Sequence, residues 1–321
     1  MTDTERHRIR LPLAITLIML SVPFLSIYSS WYGDAPMLED STPEKMMTES
    51  GMEVVDVSVG GAHACAILSN QNVYCWGQHY DGQLGNGIDG DNDDGQNFHT
   101  PIEVDLNGMI PVQISLGDRH SCALTDGGFA RCWGLNEHGQ LGHNSDTESF
   151  SSPASVWSEQ TGTLASISAG RDHTCGISDD GLAWCWGDGA DGKLGIGSTE
   201  DKSLPQLVSF DWNIDGEPSH YTASSITAGV HHTCMIVSND TISRDMYCWG
   251  EGQSGQLGAG DNESTSTPTR VLHELDQEDE EATDSEYWHS MSLGDQHTCG
   301  LLEEDGMPDL SLLCWGDNYD W

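Results

Sequence analysis

Basic residues are scarce in this sequence. It has 11 lysines and arginines against 52 aspartates and glutamates, for a net charge of −41. Residues 1–34 contain three arginines and three acids, so the excess of acid lies in the rest of the chain. Such a surface repels phosphate groups and anionic lipids, which excludes nucleic acid and favours cations or basic partners. A solvated acidic surface with no partner is the alternative interpretation.

The sequence also lacks the short motifs of common catalytic sites. It has no G-x-S-x-G, no phosphate-binding loop and no H-E-x-x-H, and no serine–histidine–aspartate arrangement stands out. We therefore predict no catalytic residues and no enzymatic activity. The acids are so numerous that a carboxylate pair for hydrolysis could arise by chance, so a secreted enzyme or enzyme inhibitor remains an alternative.

A single long apolar run lies near the amino terminus. Residues 11–28 contain no charge, the uncharged stretch can be extended to residue 33, and Arg6, Arg8 and Arg10 precede it. Basic residues before such a run place the start of the chain in the cytoplasm and the rest across the membrane. This predicts a cytoplasmic start at 1–10 and one transmembrane signal-anchor helix, or a cleaved signal, at 11–33. A polar tether at 34–50 would follow, with residues 51–321 outside the cytoplasm, membrane-anchored or secreted.

Residues 51–321 repeat one pattern five times. Each copy reads G-x-x-H-x-C, then a polar turn, then C-W-G, and four copies continue to G-Q-L-G or G-K-L-G. The copies lie near residues 51–100, 101–152, 153–204, 205–267 and 268–321. A period of this size indicates a repeat protein.

Each copy contains four short strand-like segments separated by turn residues. They are a proline-led segment, a small apolar run, the H-x-C segment and the C-W-G segment. Short strands at regular spacing are typical of an all-β array, and four per unit predicts the four-stranded blades of a β-propeller. The loops at the rims of such a propeller would carry recognition of other proteins.

The ten cysteines fall into five pairs, each placed across a predicted hairpin. The pairs are Cys65 with Cys75, Cys122 with Cys132, Cys175 with Cys185, Cys234 with Cys248, and Cys299 with Cys314. Paired cysteines beyond an export signal predict one disulfide per unit. The rival interpretation is zinc held by H-x-C and the second cysteine, but the spacing lacks the usual C-x2-C pair.

Three further sets of residues are candidates for specific roles. We expect the repeated histidines to bond neighbouring backbone and the repeated tryptophans to pack in the core. An acidic loop also resembles the start of a calcium-binding loop, although its glycine falls one place late and its twelfth residue is Thr100. The sets are His63, His120, His173, His232 and His297; Trp76, Trp133, Trp186, Trp249 and Trp315; and the Ca²⁺ candidates Asp89, Asp91 and Asp93. No other cofactor is predicted.

These repeats resemble those of the regulator of chromosome condensation family. The second copy, with His120-Ser121-Cys122-Ala123-Leu124, Cys132-Trp133-Gly134 and Gly139-Gln140-Leu141-Gly142, shows the resemblance best. The family implies a propeller, typically of seven blades. Here five copies are visible, and Trp321 stands where the first copy has Gly82. The alternatives are a five-bladed ring, an open arc completed by a partner, or a fragment of a seven-bladed ring.

The resemblance is less informative about function. The family's founding member is a nucleotide exchange factor for a small GTPase, and exported bacterial relatives bind and inhibit other proteins. Paired cysteines and an export signal favour an extracytoplasmic binding or scaffold protein with an unidentified protein partner. Exchange activity on a small GTPase is the alternative, and it requires a reducing, cytoplasmic location.

Overall fold

A computed structural model describes most of the repeat region. It covers residues 8–11, 51–88, 97–157, 159–210, 212, 221–238, 244–272, 286–304 and 310–317. The expected anchor beyond Leu11, the tether 34–50 and the calcium candidates Asp89, Asp91 and Asp93 lie outside these residues. Within the described part of the chain, no helix has the length and apolar character needed to cross a bilayer.

The described residues form an all-β fold of five antiparallel units, and the fourth and fifth units are joined in one eight-stranded sheet. Each unit is called a sheet below. The first sheet holds β2 (Val54–Val59), β3 (His63–Leu68), β4 (Val73–Gly77) and β5 (Phe98–Val104). The second holds β6 (Pro111–Leu116), β7 (His120–Thr125), β8 (Ala130–Leu135) and β9 (Ser149–Ser155). The third holds β10 (Leu164–Ala169), β11 (His173–Ser178), β12 (Ala183–Gly187) and β13 (Lys202–Leu207), with a short 3-10 turn at Ala190–Gly192. The fourth holds β14 (Thr222–Ala228), β15 (His232–Ser238), β16 (Arg244–Gly250) and β17 (Thr265–Arg270).

The fifth sheet differs in its outer strand. Its members are β18 (Glu286–Leu293), β19 (His297–Glu304) and β20 (Leu310–Gly316), and β1 (Arg8–Leu11) lies antiparallel to β20. A single parallel pair, Arg244 with Tyr287, also connects it to the fourth sheet. A strand of this sheet cannot lie across a membrane from it. Residues 8–10 therefore cannot both pair with β20 and lie in the cytoplasm while the repeats lie outside it.

The sheets are offset from the sequence repeats by one strand. The proline-led segment opens each sequence repeat, yet in the structure it pairs with the C-W-G strand before it. Cys75 of β4, for example, lies opposite Ile102 of β5. This outermost strand is an edge, where the missing N–H of proline removes no ladder bond on the solvent side. Each sheet therefore ends with the proline strand, whereas each sequence repeat begins with it.

Each sheet has two faces, and the core lies between sheets. We call the face with the repeated histidine and cysteines the front, and the face with the repeated tryptophan the back. In the first interface, Cys65 and Leu84 of the first sheet pack against Ile114 and Trp133 of the second. The same front-to-back arrangement recurs in the other three clusters, so five sheets share four interfaces among the described residues.

The first strands of successive sheets are also bonded to one another. Ile114 N–H donates to Asp56 Oδ2 at 2.8 Å, and Leu116 N–H donates to Ser58 Oγ at 3.1 Å. One sheet later, Ala169 N–H donates to Ser115 Oγ at 2.9 Å. These side chains satisfy backbone groups of the innermost strands that have no ladder partner on that side. The first strands therefore line the inside of the array.

Candidate functional site

The structure brings each predicted cysteine pair together across its hairpin. In all five pairs the Cα atoms are 4.1 Å apart and the two residues lie directly opposite in the ladder. No cysteine of the described residues is free. A cysteine held in a disulfide offers no thiolate to a metal, so the zinc interpretation loses two of its three ligands in every unit.

Four residues form a hydrogen-bonded latch between the first and second sheets. Ser121 Oγ donates to the carbonyl of Gln83 at 2.8 Å, and Trp133 Nε1 donates to the same carbonyl at 2.9 Å. His63 Nε2 lies 2.8 Å from Ser121 Oγ. Because the hydroxyl proton is used on the carbonyl, the imidazole must donate from Nε2, which fixes its tautomer. The repeated histidine thus bonds the next sheet's hydroxyl, where sequence reasoning had expected local backbone.

The same latch recurs at the other three interfaces. The histidine-to-hydroxyl distances are 2.7–2.9 Å, and both the hydroxyl and the indole again donate to one carbonyl. The sets are His120, Thr174, Gln140 and Trp186; His173, Thr233, Lys193 and Trp249; and His232, Thr298, Gln256 and Trp315. Trp133, Trp186 and Trp249 are fully buried, as core packing predicts, and Trp315 nearly so. Trp76 of the first sheet is only half-buried, so the prediction fails there.

Burial keeps the latch histidines neutral. It lowers the pKa of His63 to about 4 and those of His120 and His232 to about 3, with neighbouring histidines adding to the shift in the latter two. It also holds the pKa of His173 well below its usual value. A neutral imidazole donates only once, and the Nδ1 atoms of these four residues have no partner. The latches are therefore built for the uncharged ring at neutral pH.

The G-Q-L-G turn places its carbonyl by means of its own side chains. Gln83 Oε1 accepts the N–H of Asp81 at 2.9 Å, and Leu84 is fully buried in the interface. The closing glycine, Gly85, has a φ of +67°, and a Cβ there would lie 2.7 Å from Trp133 Nε1. Only glycine tolerates both that dihedral and that approach.

The third sheet replaces this glutamine with Lys193, which lies in a network of charges. The ammonium donates to Asp188 Oδ2 at 2.6 Å, and the lysine side chain is only 3% exposed. Burial opposes ionisation of Asp188, but the bonds from Lys193 and the backbone outweigh it and lower its pKa. His138 of the second sheet's loop lies 2.8 Å from Asp201 Oδ2. Burial lowers the pKa of His138, yet Asp201 and its neighbours raise it overall.

The ligand atoms of His138, Asp188 and Asp201 lie within 4.8 Å of one another, as a metal site would require. Their oxygens are already engaged, however. Asp188 Oδ1 accepts the N–H of Ala190 and Asp201 Oδ1 accepts the N–H of Gly189, both at 2.9 Å. The lysine supplies the positive charge that a metal would otherwise supply. We assign this cluster to the connection between the second and third sheets.

The same turn carries an exposed tip residue that differs in each of the four sheets whose turn is described. Two residues before the turn's first glycine stand Tyr80, Glu137, Ala190 and Gln253. All four are exposed, although the turn beneath each is held by a latch. An aromatic, an acidic, a small and an amide side chain are thus presented from one repeated frame. Rigidly held loops with variable tips are typical of binding surfaces.

Sequence reasoning missed the hydroxyl that follows four of the five repeated histidines. Ser121, Thr174, Thr233 and Thr298 occupy that position, and the first copy has Ala64 instead. The H-[ST]-x pattern was visible in the repeats, but a hydroxyl beside a buried ring does not reveal that its partner lies one sheet away.

A sequence model described as the RCC1-like domain matches residues 30–321. The chain belongs to the RCC1-like domain family. The β-propeller, the four-stranded units and the resemblance found in the repeats agree with this assignment.

Several curated relatives are plant and animal members of this family. The chain is 31% identical over 289 residues to the ultraviolet-B receptor UVR8 of Arabidopsis thaliana, covering 89% of this chain and 58% of the relative. It is 31% identical over 230 residues to the probable E3 ubiquitin-protein ligase HERC4 of Mus musculus, covering 71% and 20%. This RCC1-like chain therefore spans less than two thirds of the length of these relatives.

Solved structures share the fold. Human WBSCR16 superimposes with a TM-score of 0.63 at 19% identity, covering 85% of this chain and 60% of the other. Yeast RCC1 (Prp20), solved bound to Kap60, gives a TM-score of 0.59 at 17% identity, covering 84% and 68%. At these identities the likeness concerns the fold alone.

Proposed function

We propose that this RCC1-like chain is an extracytoplasmic binding or scaffold module that recognises a protein partner through its loops and has no catalytic activity of its own. The single observation that carries the proposal is the set of exposed tips at Tyr80, Glu137, Ala190 and Gln253 on latched turns. The latched turn is the same in each repeat, but its exposed tip side chain changes. Recognition of a partner requires such variation, whereas a purely structural array does not.

The location is argued from the disulfides. Five bonded pairs, one in each hairpin, are typical of proteins that fold in an oxidising compartment. The expected anchor or signal at 11–33 would deliver the repeats to such a compartment. The alternative exchange factor for a small GTPase would work in the cytoplasm, where these cysteines would be reduced.

The partner is expected to carry positive charge on its contact surface. The chain has a net charge of −41, and Glu137 is one of the exposed tips. Complementary charge accelerates association and weakens as salt is added. Binding should therefore decrease as the ionic strength rises.

A pair of photo-crosslinking variants tests the proposal. Tyr80, on a turn tip of the first sheet, is 44% exposed, and Phe129, in the opposite-end hairpin of the second, is 50% exposed. Each is replaced by p-benzoylphenylalanine in the full chain and irradiated in host cells. A discrete protein adduct from position 80, absent or much weaker at position 129, is expected. The same replacement is then made at Glu137, Ala190 and Gln253. Adducts at position 129 equal to those at the tips, or none at any of the four tips, would overturn the proposal.

A further inference from the structure

The loop that precedes β17 contains the triplet Asn262-Glu263-Ser264. It follows the pattern N-x-[ST], with x other than proline, which is the acceptor pattern for N-linked sugar on surface loops of exported proteins. A triplet this short also arises by chance, so the pattern by itself assigns nothing. The structure adds how exposed the triplet is, what holds it and how it differs from the other loops.

The triplet is exposed over its whole length. Asn262, Glu263 and Ser264 are all exposed, and none of them belongs to a strand or a helix. The Asn262 amide makes no hydrogen bond to any described residue. An enzyme that modifies a side chain must bind the segment around it, and this segment can be bound without breaking a sheet ladder. The amide nitrogen is therefore accessible in the folded protein.

The loop is held against the latched turn of the fourth sheet. Gly252 N–H donates to Ser264 Oγ at 3.1 Å, so the serine accepts one bond and keeps its own proton available. The Asn262 Oδ1 would lie 3.5 Å from a Cβ at Gly255, the first glycine of that turn. The triplet is thus presented at the same end of the sheet as the tip Gln253.

The corresponding loops of the neighbouring sheets lack this combination. In the second sheet Asn144 is exposed, but the residue two places later is Asp146, and Asn144 Oδ1 accepts a hydrogen bond from Ser203 Oγ at 3.3 Å. The loop at 196–201 of the third sheet contains no asparagine. Among the described residues, Asn262 alone is an asparagine followed two places later by a serine or threonine. A second such triplet, at 239–241, lies outside them.

We infer that Asn262 is an N-glycosylation site. The inference rests on the proposed location outside the cytoplasm, since N-linked sugar is a modification of exported proteins. In the transfer, Asn262 Nδ2 bonds to the anomeric carbon of an oligosaccharide carried on a lipid phosphate. The bond from that carbon to the phosphate oxygen breaks, the lipid phosphate leaves with the electron pair, and the amide loses one proton to a base of the transferase. The product carries a bulky, hydrated chain beside Gln253.

Peptide mass spectrometry on the full chain tests the inference. The chain is purified from its host, reduced, alkylated and cut with trypsin, which releases residues 245–270 with Asn262 as their single asparagine. We expect this peptide to exceed its sequence mass by the mass of several sugar residues. Asn262→Gln and Ser264→Ala should each remove the excess, whereas Ser264→Thr, which keeps a hydroxyl at that position, should retain it.

Asn144→Gln is the matched control, because Asn144 is an exposed asparagine in the equivalent loop without the hydroxyl, and the excess on 245–270 should remain. Free thiols are counted on the same host sample before reduction, which separates this inference from the proposed location. An unmodified 245–270 peptide with all cysteines paired would overturn the inference and leave the location standing. An unmodified peptide with ten free thiols would overturn both. An excess that persists in Asn262→Gln would place the sugar on a hydroxyl and would also overturn the inference.

Discussion

The hydroxyl beside each buried histidine connects two sheets at a single point. Thr174 Oγ1 accepts from His120 and donates to the carbonyl of Gln140, so two sheets meet on one oxygen. The bond is buried, and a buried donor without an acceptor costs more than the bond itself contributes. Each latch therefore specifies that the front of one sheet packs on the back of the next, and it also stabilises the folded state.

We predict that Thr174→Val lowers the free energy of unfolding by about 1–3 kcal/mol. The substitution keeps the side-chain shape but leaves the His120 N–H buried without an acceptor. Denaturant unfolding with the disulfides intact measures the change. Thr199 is exposed and makes no hydrogen bond, so Thr199→Val is the matched control and should change stability by less than about 0.5 kcal/mol. Equal effects of the two substitutions would contradict the latch.

We also predict that the latch histidines make stability depend on pH. Burial lowers the pKa of His120 to about 3, and an unfolded histidine titrates near 6.5. Between those values the unfolded state binds the extra proton, so the free energy of unfolding falls as the pH is lowered from about 6.5 toward 3.

The variant His120→Asn removes one such group. Its unfolding free energy should lose about 1.5 kcal/mol less than that of the unmodified protein between about pH 6.5 and 5. His99 is exposed, and His99→Asn is the control. Parallel pH profiles for the unmodified protein and His120→Asn would show that the ring is not held neutral.

At the scale of elements, the turn that follows each C-W-G strand needs glycine for two separable reasons. Gly142 has a φ of +73° and a Cβ there would lie 2.7 Å from Trp186 Nε1. Gly162 lies in a different loop, between β9 and β10. It has a similar φ of +64°, but a Cβ there would meet nothing within 4 Å. Comparing substitutions at Gly142 and Gly162 therefore separates the effect of the left-handed backbone from the effect of the close approach to Trp186.

We predict that Gly162→Ala costs about 1–2 kcal/mol, the price of a left-handed conformation alone. Gly142→Ala should cost about 2 kcal/mol or more beyond that, because it also displaces the buried tryptophan and its bond to the Gln140 carbonyl. Melting temperatures and the fluorescence of the buried tryptophans measure both effects. A similar loss in the two variants would mean that the approach to Trp186 carries no weight.

The hairpins and the four strands of each sheet were readable from the sequence, but the sheet to which the proline strand belongs was not. The Cys122 and Cys132 positions and the turn between them predict two adjacent strands, because the two strands are local and the cysteines lie across from each other. The proline strand gives no such signal. It is separated from its true partner by a long loop, so no local turn signal marks its pairing with the strand before it. The offset of one strand follows from this.

At the scale of the whole molecule, the array is an open succession in the described residues. Five sheets in a closed ring would share five interfaces, and four core clusters are formed. The sequence left a five-bladed ring, an open arc and a fragment as alternatives because each repeat specifies only its neighbours. Among the described residues the back face of the first sheet has no preceding sheet against it, and Ala64 stands there where the later sheets have a hydroxyl.

The disulfide in each hairpin is the feature on which the proposed location outside a reducing compartment depends. The most direct measurement is a free-thiol count on the full chain, purified from its host without reductant and alkylated under denaturing conditions. We predict no alkylation before reduction and ten alkylated cysteines afterwards, one pair for each hairpin. Ten reactive thiols before reduction would contradict the account, since the repeats would then reside in a reducing compartment.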